Sequence, residues 1–60
     1  MQAYRMRVDY RVQAGLRTTM LEVKAADLNE AHTIASNMVR KRRGVLRIDS
    51  TWMMGQPTSG

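Results

Sequence analysis

The sequence predicts an α+β domain, β-β-α-β in chain order, with a three-stranded antiparallel sheet in the order 2-1-3 and one helix packed on one face. Three observations carry this reading. Residues 4–12 alternate between apolar and polar. Residues 18–25 alternate again after a glycine. An apolar stripe of helical period then begins at residue 28.

In the first strand Tyr4, Met6, Val8, Tyr10 and Val12 share one side, and Arg5, Arg7, Asp9 and Arg11 the other. A period of two puts the first set on the core and the second in solvent. Gln13, Ala14 and Gly15 make the turn, with Gly15 free to take a positive φ. The second strand turns Thr19, Leu21, Val23 and Ala25 inward, and Thr18, Met20, Glu22 and Lys24 outward. The two runs read as a hairpin.

Asp27 starts the helix. Its carboxylate can accept from exposed N–H groups of the first turn, and Glu30, three residues on, can reach back. Leu28, Ala31, Ile34, Ala35, Met38 and Val39 form the apolar stripe, opposite Asn29, Glu30, Thr33, Asn37, Arg40 and Lys41. Gly44 is the stop, suited to a left-handed cap. The third strand follows over 45–54. Leu46, Ile48, Ser50 and Trp52 alternate inward, and Val45, Arg47, Asp49, Thr51 and Met53 outward. Met6 and Met38 read as core, and Met20, Met53 and Met54 as exposed. Residues 1–54 then form one domain, with 55–60 a flexible tail. Pairing strand 3 with strand 1 keeps the sheet antiparallel, whereas pairing it with strand 2 would need a right-handed crossover. Either arrangement leaves an open edge that a second copy or a partner protein can extend.

Sixty residues give a core that rarely supplies more than about 3–5 kcal/mol. There is no cysteine and only one histidine, so disulfides, thiolate metal sites and histidine clusters are excluded. Compact packing or a homodimer must stabilise the chain. No apolar run approaches the ~20 residues of a membrane span. Arg5, Arg7 and Asp9 interrupt any signal-peptide core near the start. The expected location is cytoplasmic, with no membrane partner. No phosphate-binding glycine loop, nucleophile motif or metal spacing occurs, so no enzyme and no cofactor is expected. His32 flanks the apolar stripe and reads as a partly buried, hydrogen-bonded histidine.

Ten Lys and Arg against five Asp and Glu leave a net charge of +5, which favours an acidic partner, nucleic acid or protein. Two groups of cations are candidates. Arg40, Lys41, Arg42 and Arg43 stand at the helix end. Cations there complement the helix dipole, by roughly 0.3–1 kcal/mol each. Four exceed what capping needs, but they fan around the axis, and Arg42 falls near the apolar stripe with its stem free to pack. The second group is a plate of Arg5, Arg7, Arg11, Lys24 and Arg47 on the sheet face away from the helix, interspersed with Asp9, Glu22 and Asp49. Such a face can equally be a solvated one with weak cross-strand ion pairs. With both tyrosines inward, nucleic-acid contact would go to phosphates, without sequence preference and with steep salt dependence.

One stretch carries a family likeness. Ala25, Ala26, Asp27 and Leu28 lead from strand into helix, followed by Ala31, Ile34, Ala35 and Ser36, then Gly44 and Leu46, Arg47, Ile48 and Asp49. Over roughly residues 21–49 this resembles phage-encoded type I-F anti-CRISPR proteins that bind backbone subunits of the surveillance complex. The resemblance implies an inhibitor from a phage or other mobile element, acting in the cytoplasm of an infected bacterium. It would bind the protein subunits of that complex and block hybridisation of guide RNA with target DNA. It also implies non-specific contact with duplex DNA. A free-standing nucleic-acid-binding accessory protein and a homodimeric interaction module are the alternatives that the residues leave open.

Overall fold

The computed structural model describes residues 1–55 and the paired segment Thr58–Ser59. Its elements are β1 (Gln2–Val12), β2 (Gly15–Ala25), α1 (Leu28–Arg40), β3 (Arg47–Met53) and β4 (Thr58–Ser59). β1 pairs antiparallel with β2 on one side and with β3 on the other, so the sheet has the order β2-β1-β3. β4 adds two residues beside Gln2 and Ala3 of β1, within the segment where the sequence suggests a tail. Gln56, Pro57 and Gly60 of that tail lie outside the described residues.

The hairpin is long because nothing interrupts its alternation. All eleven residues of β1 pair with β2, from Gln2 opposite Ala25 to Val12 opposite Gly15. Eleven residues at about 3.3 Å each span some 36 Å, which accounts for the 37 Å long axis of a molecule only 18 and 14 Å across. The turn needs Gly15 at φ +136°, a value that a side chain disfavours.

Asp27 caps α1 by accepting from the Glu30 N–H at 2.8 Å, and the Glu30 carboxylate accepts from the Ala26 N–H at 2.9 Å. These two bonds satisfy exposed donors at both sides of the helix start. The helix ends at Arg40 rather than running on to Gly44. Lys41–Arg43 form a turn, in which the Arg42 N–H donates to the Val39 carbonyl, and Gly44 at φ +87° completes the reversal. Only Arg40 of the four cations therefore sits in the last helical turn.

The core comprises Tyr4, Met6 and Val8 of β1, Val23 and Ala25 of β2, and Ala31, Ala35 and Val39 of α1. The alanines keep the helix close to the sheet. Tyr10, Leu21, Ile34, Val45, Ile48 and Met53 pack around this cluster. Three expectations about the core are corrected. Met38 is 48% exposed, because it lies at the margin of the stripe rather than at its centre, which Ala31, Ala35 and Val39 occupy. Leu28, in the first turn, is also partly uncovered, at 38% exposed. Leu46 is 67% exposed and Val45 packs inward in its place. The chain is still turning there: the Leu46 N–H donates to the Arg11 carbonyl and β3 begins only at Arg47.

β3 departs from simple alternation. Tyr10 pairs with Ile48, but Asp9 pairs with Ser50, so Asp49 is an extra residue forming a bulge. One inserted residue reverses every side chain beyond it. Thr51 and Met53 therefore join Val8 and Met6 on the helix side, and Ser50 and Trp52 join Asp9 and Arg7 on the outer face. Trp52 is 54% exposed, while Met53 packs on the core.

Candidate polyanion-binding surface

The helix contacts all three long strands from one side, which leaves the other face to solvent. Register orders that outer face into rows. Lys24 lies opposite Ala3, Glu22 opposite Arg5, Met20 opposite Arg7, Thr18 opposite Asp9, and Leu16 opposite Arg11. From β3, Trp52 lies opposite Arg7, Ser50 opposite Asp9, and Arg47 opposite Arg11. The five plate residues, Arg5, Arg7, Arg11, Lys24 and Arg47, do share a face, and all are exposed.

They are not equally free. Arg7 Nε lies 3.1 Å from Asp9 Oδ1, Arg11 3.6 Å from one oxygen of Asp49, and Arg47 3.2 Å from the other. Arg5 and Lys24 make no ion pair among the described residues. Asp9 is the hub of the face. Its Oδ1 accepts from the Thr18 hydroxyl at 2.8 Å and from Arg7, and its Oδ2 accepts from Ser50 Oγ at 3.0 Å. Trp52 Nε1 in turn donates to Ser50 Oγ at 3.1 Å. This network crosses all three strands and anchors the indole through its Nε1.

The Thr18 hydroxyl above all, and then Arg7 and Ser50, hold the Asp9 carboxyl below its usual range, against the opposing effect of burial. A depressed carboxyl contributes stability above its unfolded value, and that contribution is lost as the pH falls through the folded value. Asp9→Asn is therefore expected to lower Tm at neutral pH. The gap to the wild type should close as the pH falls below about 4. Thermal melts from pH 7 to pH 2 check this, and a gap that stays constant across the range would contradict it.

At the helix end, Arg42 Nη1 donates to Thr19 Oγ1 at 3.1 Å, so its stem lies back over the inner side of β2. Arg40, Lys41 and Arg43 are exposed and make no ion pair among the described residues. Where they sit matters more than their pairing. The Leu46 N–H on the Arg11 carbonyl ties the end of the helical connection to the hairpin end of the sheet. Arg11 faces Arg47, and Arg17 faces Tyr10 next to it. Seven cations thus gather towards one end of the long axis, namely Arg11, Arg17, Arg40, Lys41, Arg42, Arg43 and Arg47, with Asp9 and Asp49 as the acids among them. The remaining three cations, Arg5, Arg7 and Lys24, are matched by Glu22, Asp27 and Glu30. The whole net charge of the chain is therefore concentrated at that end. The plate expected from alternation divides accordingly: Arg11 and Arg47 belong with the helix end, and Arg5, Arg7 and Lys24 with a nearly balanced region.

Alternation along the strands does not by itself place Arg17 or Trp52 on this surface. Arg17 needed the hairpin register, which carries it to the basic end. Trp52 needed the bulge, whose trace in the sequence is that Ile48 and Met53, both facing the core, are five residues apart and so of opposite parity.

His32 is half-buried and its Nδ1 is hydrogen-bonded to Thr51 Oγ1. Beside it, a shallow depression of about 350 Å³ is lined by His32, Thr33, Ser36, Asn37 and Arg40. No group of three His, Cys, Asp or Glu residues that could hold a metal occurs among the described residues. No described helix is long and apolar enough to cross a membrane. No protein-family model matches this chain, and no curated protein or solved structure matches it either.

Proposed function

We propose that this protein is a non-enzymatic inhibitor that docks its basic end onto a surface where nucleic acid is held. The setting suggested by its resemblance is a type I CRISPR surveillance complex, at the place where guide RNA meets target DNA. The observation that carries the reading is the concentration of the net charge of +5 at the end built from Arg11, Arg17, Arg40–Arg43 and Arg47. Cations so arranged focus a field on an anionic partner and raise its rate of encounter. Inhibition follows by occupation: protein subunits contacted there can no longer present the guide to target DNA. The same end can hold duplex DNA through its phosphates.

A gel-shift series at near-physiological salt tests this. Labelled target DNA is run with a type I-F surveillance complex, with and without this protein, and with this protein alone. Loss of the target-specific band, or its replacement by a shift indifferent to sequence, is the expected result. A shift by the protein alone, with targeting intact, overturns the inhibitor reading in favour of a free-standing nucleic-acid-binding protein. No effect in any lane overturns both for this complex.

A homodimer is a second reading, favoured by one observation. The outer edge of β2 has no neighbouring strand along its eleven residues among the described residues. Such an edge can accept a second copy. Sedimentation equilibrium distinguishes dimer from monomer.

A further inference from the structure

The bulge at Asp49 puts the one tryptophan of the chain on the open face, where alternation alone would have buried it. Its single polar atom is already used, since Nε1 donates to Ser50 Oγ. What the indole offers outward is therefore its ring, 54% exposed. The ring is also held in place through Ser50 and Asp9, so little side-chain freedom remains to be lost when something stacks on it. Arg7 lies directly opposite on β1, with Arg5 in the next row. Arg11 and Arg47 of the basic end are four residues away along β1 from Arg7, or about 13 Å at the rise of a strand. A fixed aromatic ring beside arginines on an uncovered sheet is the arrangement that binds unpaired bases: the ring takes the base, and the cations take the backbone. Paired bases in a duplex are stacked on one another and must be unstacked before an aromatic side chain can take one of their faces.

We infer that Trp52 is a stacking platform for an unpaired base of a single-stranded nucleic acid, whose backbone runs from the basic end across Arg7 and Arg5. This rests on the reading of the basic end as a polyanion site, and it adds the class of ligand. Binding would then discriminate single strands from base-free polyanions, which phosphate contacts alone cannot do.

Because the chain has one tryptophan, its fluorescence reports on this site. Two titrations at low salt are compared, with oligothymidylate of about 12 nucleotides, within the usual site size, and with heparin. The oligonucleotide should quench Trp52 and heparin should not. Trp52→Ala should weaken oligonucleotide binding, measured by anisotropy, by about 5- to 150-fold and leave heparin binding unchanged. Trp52→Phe should retain most of the affinity, and circular dichroism checks that both variants fold. Equal affinity of Trp52→Ala and wild type for the oligonucleotide overturns the stacking inference while the polyanion reading stands. Failure of both ligands to bind overturns the two together. Quenching by a surveillance complex but not by oligonucleotide overturns the inference in favour of a protein contact.

Discussion

Met6→Ala is expected to leave most of the protein unfolded at room temperature. Met6 is completely buried, opposite Leu21 of β2 and Met53 of β3, so it is central in the three-strand layer. Truncating a buried Met to Ala costs about 2–5 kcal/mol, part of it for the cavity left behind. A core of this size supplies only about 3–5 kcal/mol, so the loss is of the order of the whole stability. Urea titration followed by far-UV circular dichroism should find the midpoint close to zero denaturant. Met6→Leu, nearly conserved in volume, should cost under about 1.5 kcal/mol. A Met6→Ala midpoint near that of the wild type would mean that stability comes from outside the monomer core. Association along the β2 edge would be the first alternative to examine.

Neutralising the exposed helix-end cations should change binding as strongly as Met6→Ala changes folding. The variant Arg40→Gln/Lys41→Gln/Arg43→Gln keeps Arg42, whose guanidinium is bonded to Thr19. The three substituted residues are exposed and free of ion pairs among the described residues, so the fold should survive. Each phosphate contact contributes about 0.7–0.9 to the slope of log affinity against log salt. If all three contact phosphates, the slope should fall by about 2–3, and affinity for duplex DNA at 0.1 M salt should drop by about 100-fold or more. The deficit should vanish towards 1 M salt. Arg5→Gln/Lys24→Gln, in the balanced region, should cost far less. An unchanged slope in the triple variant would reduce these cations to a solvated helix end.

The hairpin and the helix start are legible in the sequence because each rests on local signals, and the strand order follows from keeping all three strands antiparallel. Tyr4, Met6 and Val8 alternate with Arg5 and Arg7, and a strand has no other way to separate them. Asp27 and Glu30 announce their caps at the spacing that one helical turn requires. The four-cation run is equally visible, and so is the position of Arg42 near the apolar stripe, but its partner Thr19 is not, since that contact exists only where helix and hairpin pack together.

What the sequence by itself determined, then, is the β-β-α-β order, the inner face of β1 and β2, and an excess of positive charge. The tertiary structure decided where that charge acts and what stands beside it. Arg11, Arg17, Arg40–Arg43 and Arg47 are distant in sequence and meet only because the helix runs back along the sheet and its connection bonds to Arg11. Trp52 faces out because one extra residue, Asp49, fits between the partners of Asp9 and Tyr10. A bulge is a property of two paired strands, and neither strand alone carries the count of residues opposite it.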